Sequence, residues 1–318
     1  MSTKSNDQGR AYEFAYLTTL QEEISKYRNS EIDKNSGYSS ARKAWNTLSD
    51  QEKEIYKTSA LAGVREILSL EPTLLDSRKD KLRLKIQTDD EGVAGDVRDV
   101  LICDDNTGWE IGLSIKHNHF AVKHSRLSKT LDFGERWYGV KCSDEHWSEV
   151  KPIFDYLEKE KRNGEKWRNL PNKENDVYLP LLTAFRNEII RQNSAHSDKI
   201  PRMMVEYLLG RFDFYKAIGV DNKRLTQIQA YNLKGTLNQN NDNCKNDVKI
   251  PVAPLPTRIL STEFRQGSKN TLDLRFNQGW GFSFRIHNAS TRVEPSLKFD
   301  VQMTDIPDTI FSKNCEWE

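Results

Sequence analysis

Residues 95–103, Gly-Asp-Val-Arg-Asp-Val-Leu-Ile-Cys, and 109–116, Trp-Glu-Ile-Gly-Leu-Ser-Ile-Lys, are two extended runs separated by Asp104-Asp105-Asn106-Thr107-Gly108. Runs of this kind joined by a short polar turn form an antiparallel hairpin. With the turn centred near Asn106, Asp99 lies roughly opposite Leu113. Side chains alternate along a strand, so Ser114 and Lys116 share one face, about 7 Å apart. A carboxylate and an amine thus meet at one end of the hairpin. There the acid can hold a divalent cation, and the amine can face the water that the cation activates.

Composition narrows the class of protein. With 318 residues the chain can bury a full core, in one large domain or two. Its 7 Trp, 11 Tyr and 13 Phe argue against disorder despite the high polarity. No apolar run approaches a membrane span, and the polar N-terminus lacks a signal-peptide core. The cysteines Cys103, Cys142, Cys244 and Cys315 form no CxxC pair, which suits reduced thiols in a cytoplasm. A net charge of +1 hides a local bias: from Lys116 through Lys141, six Lys/Arg and three His face only Asp132 and Glu135. Directly after a candidate catalytic lysine, such a stretch suits a segment that tracks phosphates.

Ser5, Asn6 and Asp7 offer N-caps for a helix to about Arg28. Leu17, Leu20 and Ile24 form its apolar stripe, and Glu13 falls on the same stripe, where an acid needs a partner or a metal; the alternative is a first-turn Glu favoured by the helix dipole. Ser49-Asp50-Gln51-Glu52 is a capping box opening a helix that ends before Pro72. A strand over 82–87 precedes the hairpin. Helical spacing returns over 145–162, 176–192 and 201–218. Residues 238–256, rich in Asn and Pro, suit a linker or long loop. Four β-like runs follow, at 258–265, 271–276, 281–287 and 297–303, as an antiparallel meander. The chain therefore divides into a core over 1–237 with helical elaboration, a connection over 238–256 and a β-rich region over 257–318, packed on the core or apart from it.

The spacing Asp99-x14-Ser114-x-Lys116 resembles the PD-(D/E)XK nuclease superfamily, with Ser114 where the second acid usually stands. Longer strings are similar to the HaeIII family of type II restriction endonucleases. They are Ser114-Ile115-Lys116-His117-Asn118-His119, Lys123-His124-Ser125-Arg126-Leu127-Ser128, Arg285-Ile286-His287-Asn288-Ala289-Ser290, and Glu294-Pro295-Ser296-Leu297-Lys298-Phe299-Asp300. The opening Ser5-Asn6-Asp7-Gln8-Gly9-Arg10-Ala11-Tyr12-Glu13-Phe14 also resembles that family. The implied fold is mixed α/β: a restriction-endonuclease-like core with flanking helices and a C-terminal antiparallel β region.

The resemblance implies Mg²⁺-dependent hydrolysis of double-stranded DNA at a specific sequence, GGCC by similarity to the family. In that scheme Lys116 assists the water and Asp99 holds the metal. A bulge after Gly95 would make Asp96 the ligand instead. Glu110 shares the Lys116 face but lies roughly 20 Å away along the strand. Ser114 leaves the second acid open among Glu13, Asp96, Asp132 and Glu135, and the Ile115 carbonyl is a further candidate ligand. Asn118, Lys123 and Arg126 are expected on phosphates. His117, His119 and His124 are expected to be structural or to contact the backbone. Arg285, Asn288, Arg292 and Lys298, with His287 and Glu294 beside them, suit base edges, since guanine asks for cationic donors and cytosine for an acid. A palindromic target suits a homodimer, and a cognate methyltransferase is implied. The alternative is a non-catalytic DNA-binding protein with a degraded site. A methyltransferase fits poorly, because no glycine-rich cofactor loop and no Pro-Cys dipeptide is present.

Overall fold

The computed structural model describes residues 4–88, 96–119, 122–123, 125–240 and 245–318; Gly95, His124 and Cys244, named above, lie outside them. The chain divides into two compact units, each assembled from separated segments. One comprises residues 1–120, 210–254 and 308–318, the other 121–209 and 255–307. This partition differs from the expected one: residues 121–209 group with the C-terminal strands, and the last eleven residues return to the first unit.

The first unit is a seven-stranded mixed sheet with helices packed on one face. Its strands are β1 (Ser30–Ile32), β2 (Leu82–Ile86), β3 (Val100–Asp104), β4 (Trp109–His117), β6 (Phe214–Val220), β7 (Leu225–Tyr231) and β12 (Phe311–Glu316), in the order β1-β2-β3-β4-β6-β7-β12. β1 with β2 and β4 with β6 are parallel pairs, and the rest are antiparallel. The helices are α1 (Lys4–Ile24), α2 (Ser36–Asn46) and α3 (Asp50–Leu70). Leu17, Leu20 and Ile24 of α1 are fully buried in one cluster with Val64 and Ile67 of α3 and Leu113, Ile115, Tyr215 and Ala217 of the sheet. Each large aliphatic group buried there contributes about 1.5–3 kcal/mol. Because Leu113 and Ile115 face the helices, Ser114 and Lys116 face the other way.

Ser49 caps α3 with the reciprocal Glu52 contacts of a capping box, as expected. Helix α1 begins at Lys4, so Ser5, Asn6 and Asp7 lie within it rather than capping it, and Glu13 sits in its middle rather than in its first turn. The helix expected over 201–218 stops at Leu209. Gly210, at φ +91°, ends it, and residues 214–220 form β6 instead. Phe214-Tyr215-Lys216-Ala217-Ile218 is buried on both faces. Such a run has no period of two, so it mimics a buried helix.

In the second unit, β5 (Arg126–Ser128), β8 (Ile259–Phe264), β9 (Thr271–Phe276), β10 (Gly281–His287) and β11 (Ser296–Asp305) form an antiparallel sheet in the order β5-β11-β10-β9-β8. Helices α4 (Phe133–Tyr138), α5 (Asp144–Arg162), α6 (Leu179–Ala195) and α7 (Ile200–Leu209) complete it. An aromatic cluster joins helices to sheet, with the Phe185 ring 5.0 Å from Phe299 and 4.9 Å from Phe133.

Candidate active site

The hairpin forms with a register one residue from that expected. Val100 pairs with Leu113, and Asp99, just before β3, donates its N–H to the Leu113 carbonyl at 2.7 Å. That offset puts the Asp99 carboxylate on the Ser114/Lys116 face. Its Oδ2 accepts from the Ile115 N–H at 2.6 Å, from Lys116 Nζ at 3.0 Å and from Ser114 Oγ at 3.4 Å. A residue's N–H and C=O leave a strand on the same side, so the Ile115 carbonyl also points toward Asp99.

Lys116 and Asp99 are both half-buried. Burial disfavours the Lys116 ammonium, but attraction and hydrogen bonding from Asp99, and a further pull from Glu13, outweigh it and raise the group above its ordinary value. Lys116 is therefore a fixed cation at neutral pH. The influence of Glu13 places that mid-helix carboxylate in the electrostatic neighbourhood of Asp99 and Lys116.

Lys216 is the group that sequence inspection missed. In the parallel β4/β6 register it pairs with Ser114 and, on its other side, with Gln229 of β7, so Ser114, Lys216 and Gln229 form one row across three strands, with the Asp99 carboxylate hydrogen-bonded to Ser114. Lys216 is only 4% exposed. Burial and the nearby Lys116 ammonium lower it to about 8, with Asp99 opposing. The available signal was a lone lysine inside an apolar run, hidden by the helical assignment.

Arg98 was also missed. Its guanidinium, buried beside Asp99, binds Asp96 through Nη2 at 2.7 Å and Glu110 through Nη1 at 2.7 Å, and its Cζ lies 4.0 Å from the Phe212 ring centre. Gly112 makes room for it: a Cβ there would collide with the Arg98 side chain. Burial raises the Asp96 carboxyl, but hydrogen bonds from Arg98 and Gln87 more than reverse this and hold it below the ordinary value. Asp96 and Glu110 thus serve Arg98, whereas Asp99 serves the Ser114/Lys116 cluster. Asp132, in the second unit, caps α4 by accepting from the Glu135 N–H at 2.9 Å and also bonds the Cys142 N–H. Glu135 is exposed in the first turn of that helix.

Strand alternation stops at His117. Asn118 is in the left-handed region, φ +52°, a conformation asparagine tolerates, and its N–H binds the Gly219 carbonyl at 2.8 Å. Its amide exchanges hydrogen bonds with Asp221, so Asn118 ties the end of β4 to the end of β6 rather than extending the Lys116 face. His117, on the helix side, binds Asp221 at 2.9 Å and packs against Tyr12 and Tyr56, a structural setting. His119 is exposed.

The remaining candidates lie in the second unit. Lys123 Nζ donates to the Tyr207 carbonyl at 2.8 Å and stands 3.9 Å from the centre of its ring. Arg126, Lys298 and His287 form one cross-strand row on the polar face of the sheet, with Asp300 and Arg285 paired two residues further along. Burial and Arg126 lower Lys298; burial and Arg285 lower His287. Arg126 pairs with Glu294 at 3.3 Å, and Arg285 with Asp300 at 3.6 Å. Asn288 closes the adjoining loop, donating to the Arg292 carbonyl and accepting from the Glu294 N–H, while Arg292 is exposed.

Among the described residues no three His, Cys, Asp or Glu side chains gather as a metal-binding group. The Asp99 carboxylate, with the Ile115 carbonyl and the Glu13 carboxylate as further oxygens in its neighbourhood, is the kind of donor that a hard divalent cation such as Mg²⁺ takes. That hard ion retains several waters and needs only one or two protein carboxylates. No helix among the described residues is long and apolar enough to cross a membrane.

The family model of the HaeIII restriction endonuclease matches residues 9–307. The chain is 52% identical to the type II restriction enzyme HaeIII of Haemophilus aegyptius, over the full length of both. No solved structure matches it. Type II restriction enzymes generally use divalent metal ions. The mixed α/β architecture and these matches agree: the chain belongs to the HaeIII restriction endonuclease family and is a type II site-specific deoxyribonuclease.

Proposed function

We propose that this nuclease hydrolyses both strands of double-stranded DNA at GGCC, leaving 5′-phosphate and 3′-hydroxyl ends, with Mg²⁺ held by Asp99, Glu13 and the Ile115 carbonyl. The observation that carries the site assignment is the convergence of Ser114, Ile115 and Lys116 on one Asp99 carboxylate oxygen. When bound, Mg²⁺ supplies positive charge for the phosphate and acidifies a water. Lys116, held cationic by Asp99, hydrogen-bonds the attacking water and offsets charge that develops on the phosphate oxygens. Ser114 keeps the Asp99 carboxylate oriented.

The polar face carrying Arg126, Lys298, His287, Arg285 and Asp300 supplies phosphate and base-edge contacts, as do Lys123 and Arg292. Two copies related by a two-fold axis match a palindromic target, a methyltransferase of the same specificity protects the host DNA, and the enzyme works in the cytoplasm beside that protected DNA. The test is to incubate the protein with unmethylated plasmid in Mg²⁺, with a chelator control, and to sequence the fragment ends. Discrete fragments ending within GGCC support the assignment. Fragments sharing another sequence overturn the target, and cleavage that survives chelation overturns the metal.

A further inference from the structure

We infer that Lys216 is a positioning residue that takes the electrostatic place of a second metal ion, so that each site works with a single divalent cation. The inference rests on the assignment of Asp99 as a metal ligand. Three observations support it. Lys216 pairs with Ser114 across β4 and β6, one strand spacing away, and Ser114 in turn hydrogen-bonds the Asp99 carboxylate. It is 4% exposed, so its ammonium is held by the fold and cannot swing out into solvent. Its charged neighbours are of opposite sign: Lys116 repels it and Asp99 attracts it.

Placing a second ammonium beside one carboxylate is unfavourable unless the position requires positive charge. Two divalent ions would bring four positive charges to Asp99 and Glu13, with Lys116 and Lys216 already present. Among the described residues no group of three or more His, Cys, Asp or Glu side chains is arranged to hold a metal ion. One ion together with the two ammoniums leaves the site moderately cationic, which suits a phosphodiester. Lys216 acts through the field it exerts on the metal and the phosphate; it is too buried to take the water's proton itself.

Mn²⁺ is the probe, titrated into the full-length protein bound to uncleaved target duplex in which the scissile phosphate is blocked, with the free ion counted by its electron-paramagnetic signal. The expected result is one Mn²⁺ per chain in the wild type. In Lys216→Met, loss of the repelling charge tightens Mn²⁺ by at least about tenfold, the lower bound that water-like screening sets for a unit charge facing a divalent ion at short range. The same variant cleaves native DNA more slowly at saturating metal, while Lys216→Arg keeps wild-type metal affinity. Two Mn²⁺ per chain in the wild type overturns the inference whatever the variants do. So does Lys216→Met with unchanged Mn²⁺ affinity; if Met does not fold, Lys216→Gln is read in its place. Asp99→Asn separates the two levels: Mn²⁺ binding that survives it overturns the metal-ligand assignment itself. Binding lost in Asp99→Asn but unaltered in Lys216→Met removes only the role of Lys216.

Discussion

Glu71 offers a quantitative test of the packing between α3 and the sheet. Its carboxyl is 2% exposed, accepts from the Tyr215 hydroxyl at 2.7 Å and also takes the Asn238 N–H. Burial raises it from 4.5 to about 7, against the lowering effect of those two hydrogen bonds. The native state therefore holds a proton that the unfolded chain releases between pH 4.5 and 7. This contribution to stability is fully present below about pH 4.5, declines as pH rises through about 7 and is flat above. At roughly 1.4 kcal/mol per unit, the full swing is about 3 kcal/mol. Glu71→Gln is neutral at every pH and keeps an oxygen that can accept both hydrogen bonds. Urea unfolding of wild type and variant at pH 5 and pH 8 should show the variant gaining relative to wild type by up to about 3 kcal/mol at the higher pH. Comparing the two differences removes any constant effect of the new amide. Parallel stability of the two proteins across this range would show that Glu71 ionises normally and that its buried setting is not as described.

Lys116→Ala should reduce cleavage by at least roughly 10²–10³-fold while metal-independent DNA binding by gel shift persists; loss of folding would instead make Lys116 structural. Arg98→Ala removes the partner of the half-buried Asp96 carboxylate and should lower stability by about 3 kcal/mol in urea unfolding. A change under about 1 kcal/mol would show that Asp96 is solvated without it. Arg126→Ala should weaken binding to all sequences and reduce the salt dependence by about one unit of slope. An unchanged slope would take Arg126 off the phosphates. Lys123→Ala, which leaves the Tyr207 carbonyl and ring without their cation, should cost about 1 kcal/mol of stability.

Local signals carried the hairpin, the capping box and most C-terminal strands, because turn residues, caps and alternation act over a few neighbours. Asp99, Ser114 and Lys116 were legible for that reason, since one hairpin supplies all three. The register was not: whether Asp99 or Val100 pairs with Leu113 turns on a one-residue offset that the turn sequence leaves open. Asn118 departs from the Lys116 face that strict alternation predicts, because its own left-handed backbone after His117 interrupts that alternation.

The hairpin carrying Asp99, Ser114 and Lys116, and through longer strings the family, are legible along the chain, since both reside in contiguous residues. The company that hairpin keeps is a matter of how distant segments pack. Lys216 comes from a strand about a hundred residues away, and β12 closes the sheet from the end of the chain. Those placements follow from the order in which strands pair. Backbone hydrogen bonds hold the paired strands but form between almost any residues, so the order is selected by the burial of side chains far apart in the chain. A strand buried on both faces, such as β6, has in addition no alternation to reveal it, so its one lysine became meaningful only once the strand lay beside Ser114.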